Sequence, residues 1–204
     1  MRVIAGTNNK HKMEEFEKIL QPFNVELIPL SEIGDFEDIE ETGKTFEENA
    51  RIKALAFAKF AASALKNGIP PVIADDSGLE VDALGGRPGI YSARYAENND
   101  ARIRKVLQEM TGVNNRTARF VCAIAIAAPS GIIAQVRGEV EGKIGFAPKG
   151  SAGFGYDPIF YPDGYDLTFA ELGSEIKNGI SHRSRALRKA GESLGIYFAT
   201  GKSP

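Results

Sequence analysis

Short apolar runs bounded by Gly, Pro, Asn and Asp alternate along this chain with longer segments whose apolar residues recur every three or four positions. Arg2-Val3-Ile4-Ala5 reads as a short buried strand, followed by a helix with Met13, Phe16, Ile19 and Leu20 on one face and a stop at Pro22. Val25–Ile28 predicts a second strand. Thr45-Phe46-Glu47-Glu48 has capping-box spacing, so a helix begins there and runs to about Leu65, with Ile52, Leu55, Ala56 and Phe60 on its apolar face. Val72-Ile73-Ala74 is strand-like and breaks off at Asp75-Asp76-Ser77-Gly78. Ile103, Val106, Leu107 and Met110 mark another helix. Thr117–Ala128 and Ile132–Ile144 are long β-type stretches joined at Pro129-Ser130-Gly131, which predicts a hairpin. A short helix near Phe169–Lys177, with a Thr168/Glu171 capping-box match, precedes a last helix over Ser181–Leu194. Strands mixed with helices and one long hairpin predict a mixed α/β fold, and no linker or repeat interrupts residues 1–204, so one domain is expected.

Composition adds exclusions. With 43% hydrophobic residues and a net charge of −2 over 204 residues, the chain is no disordered tract. The longest apolar stretch, Phe120–Pro129, falls short of the roughly 18 to 20 residues of a membrane span. Arg2–Ala5 runs straight into polar Thr7-Asn8-Asn9-Lys10, which is not a signal-peptide pattern. One cysteine, Cys122, excludes an internal disulfide framework and fits a reducing cytoplasm. A near-zero charge argues against a nucleic-acid coat.

Five clusters can carry chemistry. Thr7-Asn8-Asn9-Lys10-His11-Lys12 forms a polar turn between a strand and a helix, where backbone N–H groups and lysines suit phosphate oxygens; an Asn helix cap with solvated lysines is the plainer reading. Asp75 and Asp76 repel each other, and a divalent metal is the natural compensator. Eight acids against one base lie between Ser31 and Glu48 (Glu32, Asp35, Glu37, Asp38, Glu40, Glu41, Glu47, Glu48; Lys44). Glu47 and Glu48 suit a helix N-terminus, whereas Glu40 and Glu41 are placed to reach a metal held by Asp76. In Gly153-Phe154-Gly155-Tyr156-Asp157-Pro158, glycines flanking Phe154 allow close approach to a flat ligand; a bent loop with an aromatic plug is the alternative. Lys177–Lys189 holds five bases (Lys177, Arg183, Arg185, Arg188, Lys189) and no acid, with Ser181-His182-Arg183 at a helix start favouring an anion.

Other patterns fail. Gly43-Lys44-Thr45 mimics the end of a P-loop, but Asp38 stands at the required upstream glycine. Pro158 stands where a dinucleotide fingerprint beginning at Gly153 needs its third glycine. Asp76-Ser77-Gly78 matches the aspartic-protease triplet in a single copy, in a chain too helical for that fold.

Taken together, acids for a divalent cation, bases for a polyanion and an aromatic between glycines are the equipment for a nucleoside triphosphate held through Mg²⁺. A sensing module that binds without cleaving is the competing class, but binding alone has little need of both acid pairs.

The same residues carry a resemblance. Thr7-x-Asn9-x-x-Lys12, Glu40-Glu41-Thr42-Gly43-x-Thr45-Phe46-x-Glu48-Asn49-Ala50, Ala74-Asp75-Asp76-Ser77-Gly78-Leu79, Leu84-Gly85-Gly86-x-Pro88-Gly89-x-Tyr91-Ser92-Ala93-Arg94-Tyr95, Gly153-Phe154-Gly155-Tyr156-Asp157-Pro158 and Ile180-Ser181-His182-Arg183 occur in this order. From Val3 to about Leu194 the chain resembles the inosine/xanthosine triphosphate pyrophosphatase family. The resemblance implies a mixed central sheet with flanking helices and two lobes around a substrate cleft, usually in a homodimer. It implies hydrolysis of dITP, ITP and XTP to the monophosphate and diphosphate with Mg²⁺. By position, it makes Asp76 the proton acceptor and a metal ligand, with an acidic partner at Glu40 and the adjacent Glu41 as the alternative. It makes Thr7, Asn8, Asn9, Lys10, His11, Lys12, Ser77, Phe154, Gly155, Tyr156, Asp157, Lys177, His182 and Arg183 substrate contacts. His11 departs from the Gly that many members carry.

Overall fold

The computed structural model describes residues 1–36, 39–66 and 68–202. Among them, six strands form one sheet in the order β2-β1-β3-β4-β5-β6: β1 (Arg2–Ala5), β2 (Glu26–Pro29), β3 (Val72–Val81), β4 (Thr117–Ala128), β5 (Gly131–Ile144) and β6 (Phe160–Pro162). β1 runs parallel to both β2 and β3, with Arg2 opposite Glu26 and Ile4 opposite Val72. Only Pro129 and Ser130 separate β4 from β5, a connection that permits only an antiparallel pair, and β6 lies antiparallel to β5. The sheet is therefore mixed, as the resemblance implies. The helices are α1 (Lys10–Leu20), α2 (Phe46–Ala64), α3 (Asn99–Glu109), α4 (Phe169–Ile180) and α5 (His182–Thr200). None is long and apolar enough to cross a membrane.

The predicted helix starts form as their caps require. Asn9 Oδ1 accepts from the N–H groups of His11 and Lys12 and starts α1. Thr45 Oγ1 accepts from Glu48 N to start α2, although the Glu48 carboxylate reaches back to Lys44 N, one residue beyond the usual box. At α4 the box is complete: Thr168 Oγ1 accepts from Glu171 N while Glu171 Oε2 accepts from Thr168 N.

The chain divides into two compact units, one made of residues 1–76, 122–138 and 184 onward, the other of 77–121 and 139–183. In the first, Val3, Ile73, Cys122, Ile124 and Ile126 pack with Phe16 and Leu20 of α1 and with Leu187, Ala190 and Leu194 of α5. In the second, Leu79, Val81, Ile103, Val106, Met110 and Phe120 pack with Phe160 and Phe169. There the Phe120 and Phe160 ring centroids are 4.7 Å apart and those of Phe160 and Phe169 5.4 Å apart. Each fully buried Val, Leu, Ile, Met or Phe among them contributes about 1.5 to 3 kcal/mol on burial.

Three expectations need correction. β3 does not stop before Asp75-Asp76-Ser77-Gly78 but runs through them to Val81, because its carboxylates find partners. The buried side of α2 is Phe46, Ala50, Ala54, Phe57, Ala58 and Ala61, while Ile52, Leu55, Ala56 and Phe60 are only half-buried. Alanines at the same helical period let the helix approach its neighbours closely, and side-chain size misled the reading. β6, from the apolar run before Pro162, was not expected at all. Glu37 and Asp38 of the acidic run lie outside the described residues.

Arg137 of β5 donates to Glu47 in the first turn of α2 at 2.7 Å. Burial pushes the Glu47 carboxyl up, but the hydrogen bond and charge of Arg137 outweigh it and hold the group below its ordinary range. A depressed carboxylate stabilises the fold above its unfolded pKa, and that stabilisation disappears as pH falls through the folded value. Because both partners are more than a third exposed, Glu47→Gln should cost only about 0.5 kcal/mol at pH 7. Urea unfolding should show that difference closing below about pH 4.

Candidate functional site

In the first unit, two consecutive carboxylates occupy the middle of β3. Successive strand residues point to opposite faces, so Asp75 and Asp76 separate. Asp75 shares its face with Ile73 and meets α1: Lys12 Nζ donates to Asp75 Oδ1 at 2.9 Å, and both side chains are largely shielded. Asp76 meets α2. Lys53 Nζ donates to Asp76 Oδ1 at 3.2 Å and to Glu41 Oε1 at 2.7 Å, while Asn49 Nδ2 donates to Asp76 Oδ2 at 3.2 Å. Asn49 Oδ1 in turn accepts from Gly43 N at 2.8 Å, which fixes the chain just after Glu41. A Cβ at Gly43 would meet that oxygen at 2.6 Å, so this residue has to be glycine.

One ammonium thus serves several acids, and the electrostatics follow. Burial works against the Lys53 ammonium, but Asp76, Asp75 and Glu41 more than offset it, so its pKa is raised. Burial also raises the Asp76 carboxyl; Lys53 opposes this, Glu41 adds to it, and Lys12 and the Asn49 hydrogen bond do not cancel the rise. A buried carboxylate with a raised pKa is suited to accept a proton.

Asp76 and Glu41 converge on one positive centre, which is a donor set suited to a hard divalent cation with phosphate and water as its other ligands. No three His, Cys, Asp or Glu among the described residues gather into a metal cage, and Mg²⁺ does not require one. Of the two acids that the sequence offers as partner to Asp76, Glu41 is the one beside it; Glu40 is exposed.

The phosphate-suited turn has the form of a cap. Thr7 Oγ1 accepts from Asn9 N at 3.2 Å, Asn9 caps α1, and Asn8, Lys10 and His11 are exposed at the helix start. Lys12 is not the solvated lysine of the plainer reading, since Asp75 holds it.

In the second unit, the expected base-binding residues form a buried stack. Lys177 Nζ donates to Asp157 Oδ2 at 2.7 Å, with both side chains at most 5% exposed. The same carboxylate oxygen accepts from Phe154 N at 2.9 Å. Lys177 Nζ lies 4.6 Å from the Phe154 ring centroid and the Arg183 guanidinium carbon 5.5 Å from it. Arg183, 2% exposed, donates from Nη2 to Ser77 Oγ at 2.9 Å. His182 is buried and stacks on Phe120, with centroids 4.8 Å apart at 11°. Tyr156 turns inward and donates from its hydroxyl to Ser92 O at 2.9 Å; burial raises its pKa. Phe154 and Gly155 are the half-exposed part of this segment, and Gly153, at φ +77°, would drive a Cβ into the Asp157 carboxylate. The loop therefore presents one aromatic ring lying over two cations. Lys177, read from sequence as one of five bases in an acid-free segment, is here paired with Asp157.

Two participants escaped the sequence reading. Lys53 and Asn49 stand four apart on α2, and the available signal was a buried amide within a helix followed one turn later by a lysine.

Residues 3–193 match the model of the Ham1 family. The chain is 51% identical to the dITP/XTP pyrophosphatase of Bacillus subtilis (strain 168), covering 94% of this chain and 96% of that one. It is 47% identical to the dITP/XTP pyrophosphatase of Desulforamulus reducens, covering 97% and 98%. Among solved structures, the Staphylococcus aureus Ham1 protein shares 43% identity and superposes with a TM-score of 0.81 over 99% of this chain and 100% of that one. A HAM1 protein from Coxiella burnetii shares 38% identity, with a TM-score of 0.84 over 95% and 98%.

Removing Asp157 strands a buried ammonium. Asp157→Ala should destabilise the protein by about 3 to 5 kcal/mol in denaturant unfolding, the cost of breaking a buried pair from one side. The double variant Asp157→Ala/Lys177→Met should recover part of that loss.

Proposed function

The chain belongs to the Ham1 family, and from that premise we propose that it hydrolyses purine nucleoside triphosphates carrying deaminated bases (dITP, ITP and XTP), giving the monophosphate and diphosphate. The observation that supports this best is the convergence of Asp76 and Glu41 on the Lys53 ammonium, a pair of acids and a lysine assembled for charge chemistry in one place. The names of the relatives support the substrate class.

In this reading Asp76, with Glu41, holds Mg²⁺. The bound cation supplies charge neutralisation at phosphate oxygens. Asp76 accepts the proton of the attacking water, a role that its raised pKa favours. Lys53 and Lys12 orient Asp76 and Asp75, and Thr7 and Lys10 at the start of α1 receive the polyphosphate. Phe154 stacks on the purine ring. Arg183, fixed by Ser77, supplies a donor for the 6-oxygen of hypoxanthine and xanthine. The 6-amino group of adenine would leave such a donor unmatched, a difference worth up to about 10⁴-fold where the site is built for it. A cytoplasmic homodimer belongs to the same reading.

Product analysis over ITP, XTP, dITP, ATP and GTP, with and without Mg²⁺, tests the proposal. The expected result is diphosphate release from the first three, only with Mg²⁺. Orthophosphate release, or ATP cleaved as fast as ITP, would overturn it. Asp76→Asn should lower turnover by about 10²- to 10⁴-fold, as loss of a general base does. Its stability at pH 7 should not fall. A raised folded pKa means that the contribution of Asp76 is present below the unfolded pKa and is lost as pH rises through the folded value, so a neutral amide removes a cost there. A variant that unfolds in step with its lost activity would contradict the assignment.

A further inference from the structure

A second feature of the 77–121/139–183 unit is used by nothing above. Beyond the end of β5 lies a groove of about 460 Å³, within the roughly 300 to 1,000 Å³ typical of small-molecule sites. Arg116, Lys143, Phe146, Lys149, Tyr161 and Asp166 line it, three cations against one acid. Phe146 is 84% exposed, far more than any other phenylalanine here.

That ring is held in a defined pose. The Arg116 guanidinium carbon lies 4.3 Å from its centroid. Arg116 is itself immobilised by three backbone carbonyls: Nε donates to Ile144 O and Nη2 to Gly145 O, both at 2.6 Å, and Nη1 to Met110 O at 3.2 Å. All three acceptors are neutral, so no carboxylate among the described residues offsets the Arg116 charge. One face of Phe146 therefore rests on a fixed cation and the rest of the ring meets solvent. Gly145 forms the floor: a Cβ there would meet the Tyr161 ring at 2.6 Å. Lys149 lies 5.8 Å from that ring, and a hydrogen bond with the Tyr161 hydroxyl raises its pKa. Lys143 is exposed and adds a further positive charge to the groove wall.

A large apolar ring posed in water over a guanidinium, with two ammonium groups in the same groove, suits a ligand with a flat π-face and a compact negative charge. We propose that this groove is a second binding site, for a purine mononucleotide whose base stacks on Phe146 and whose phosphate is taken by Lys143 and Lys149. Its volume accommodates one nucleotide. Asp166 is placed to accept from ribose hydroxyls. The loop bearing Lys149 is also tied to the segments that carry the candidate base site: Lys149 N donates to Pro158 O at 2.8 Å, and the hydroxyl of Thr168, which caps α4, donates to Lys149 O at 2.9 Å.

The test is an amide NMR titration of the full chain with AMP, whose base the proposed hydrolysis rejects, alongside inorganic phosphate. The expected result is saturable shifts at residues 143–149 and 161 with AMP, at least about tenfold weaker with phosphate, and about tenfold weaker for Phe146→Ala and for Lys143→Glu, the loss of one stacked ring or one charge-assisted contact. Both variants alter exposed side chains and should keep the wild-type spectrum elsewhere. Unshifted amides at millimolar AMP, equal response to phosphate alone, unchanged affinity in both variants, or shifts that follow protein concentration in place of ligand would each overturn the site. None of these outcomes depends on whether the chain hydrolyses ITP, which is measured separately.

Discussion

Two carboxylates side by side in the middle of a buried strand are the constraint around which the first unit is organised. The period of two along a strand sends Asp75 to the face carrying Ile73 and Asp76 to the other, and each face must then supply its own cation. α1 supplies Lys12 and α2 supplies Lys53. The position of each helix start follows from this. Asn9 must cap α1 three residues before Lys12, and Thr45 must cap α2 eight before Lys53, for the ammonium groups to reach their acids. Asn49, one turn before Lys53, satisfies the remaining oxygen of Asp76 and ties down the chain behind Glu41.

The second unit solves a related problem differently. Asp157 is nearly fully buried, yet it serves Lys177 and the Phe154 amide at once. A single charge pair thereby sets the pose of the one aromatic ring that this loop leaves half-exposed. Tyr156 anchors the same loop from the other side through Ser92, whose own hydroxyl accepts from Leu79 N. The loop is held by polar bonds because its glycines provide no side chains to pack.

Much of this was legible in the sequence, and the misses have physical reasons. Capping residues act over three or four positions, so the starts of α1, α2 and α4 could be read locally from Asn9, Thr45 and Thr168. The long β-pattern on either side of Pro129-Ser130 likewise fixes β4 and β5. What distant elements decide could not be read. The acids at 75 and 76 look like the end of a strand until lysines 63 and 23 residues away are brought to them. The face of α2 was misjudged because alanines bury as well as leucines when a helix packs closely. For the same reason Glu41 could be preferred to Glu40 only after folding, since adjacent residues differ in direction, not in chemistry. Lys177 was legible as one of a run of bases but not as the partner of Asp157.

Lys53 has one more consequence. An ammonium on a flexible four-carbon stem delivers positive charge without demanding any coordination geometry. The carboxylates of Glu41 and Asp76 are therefore already bridged by the polypeptide itself, which offsets part of their mutual repulsion as the chain folds. Folding at this spot is decoupled from any cation arriving later, which has only to share with, or displace, a counterion that is tethered and cannot be lost.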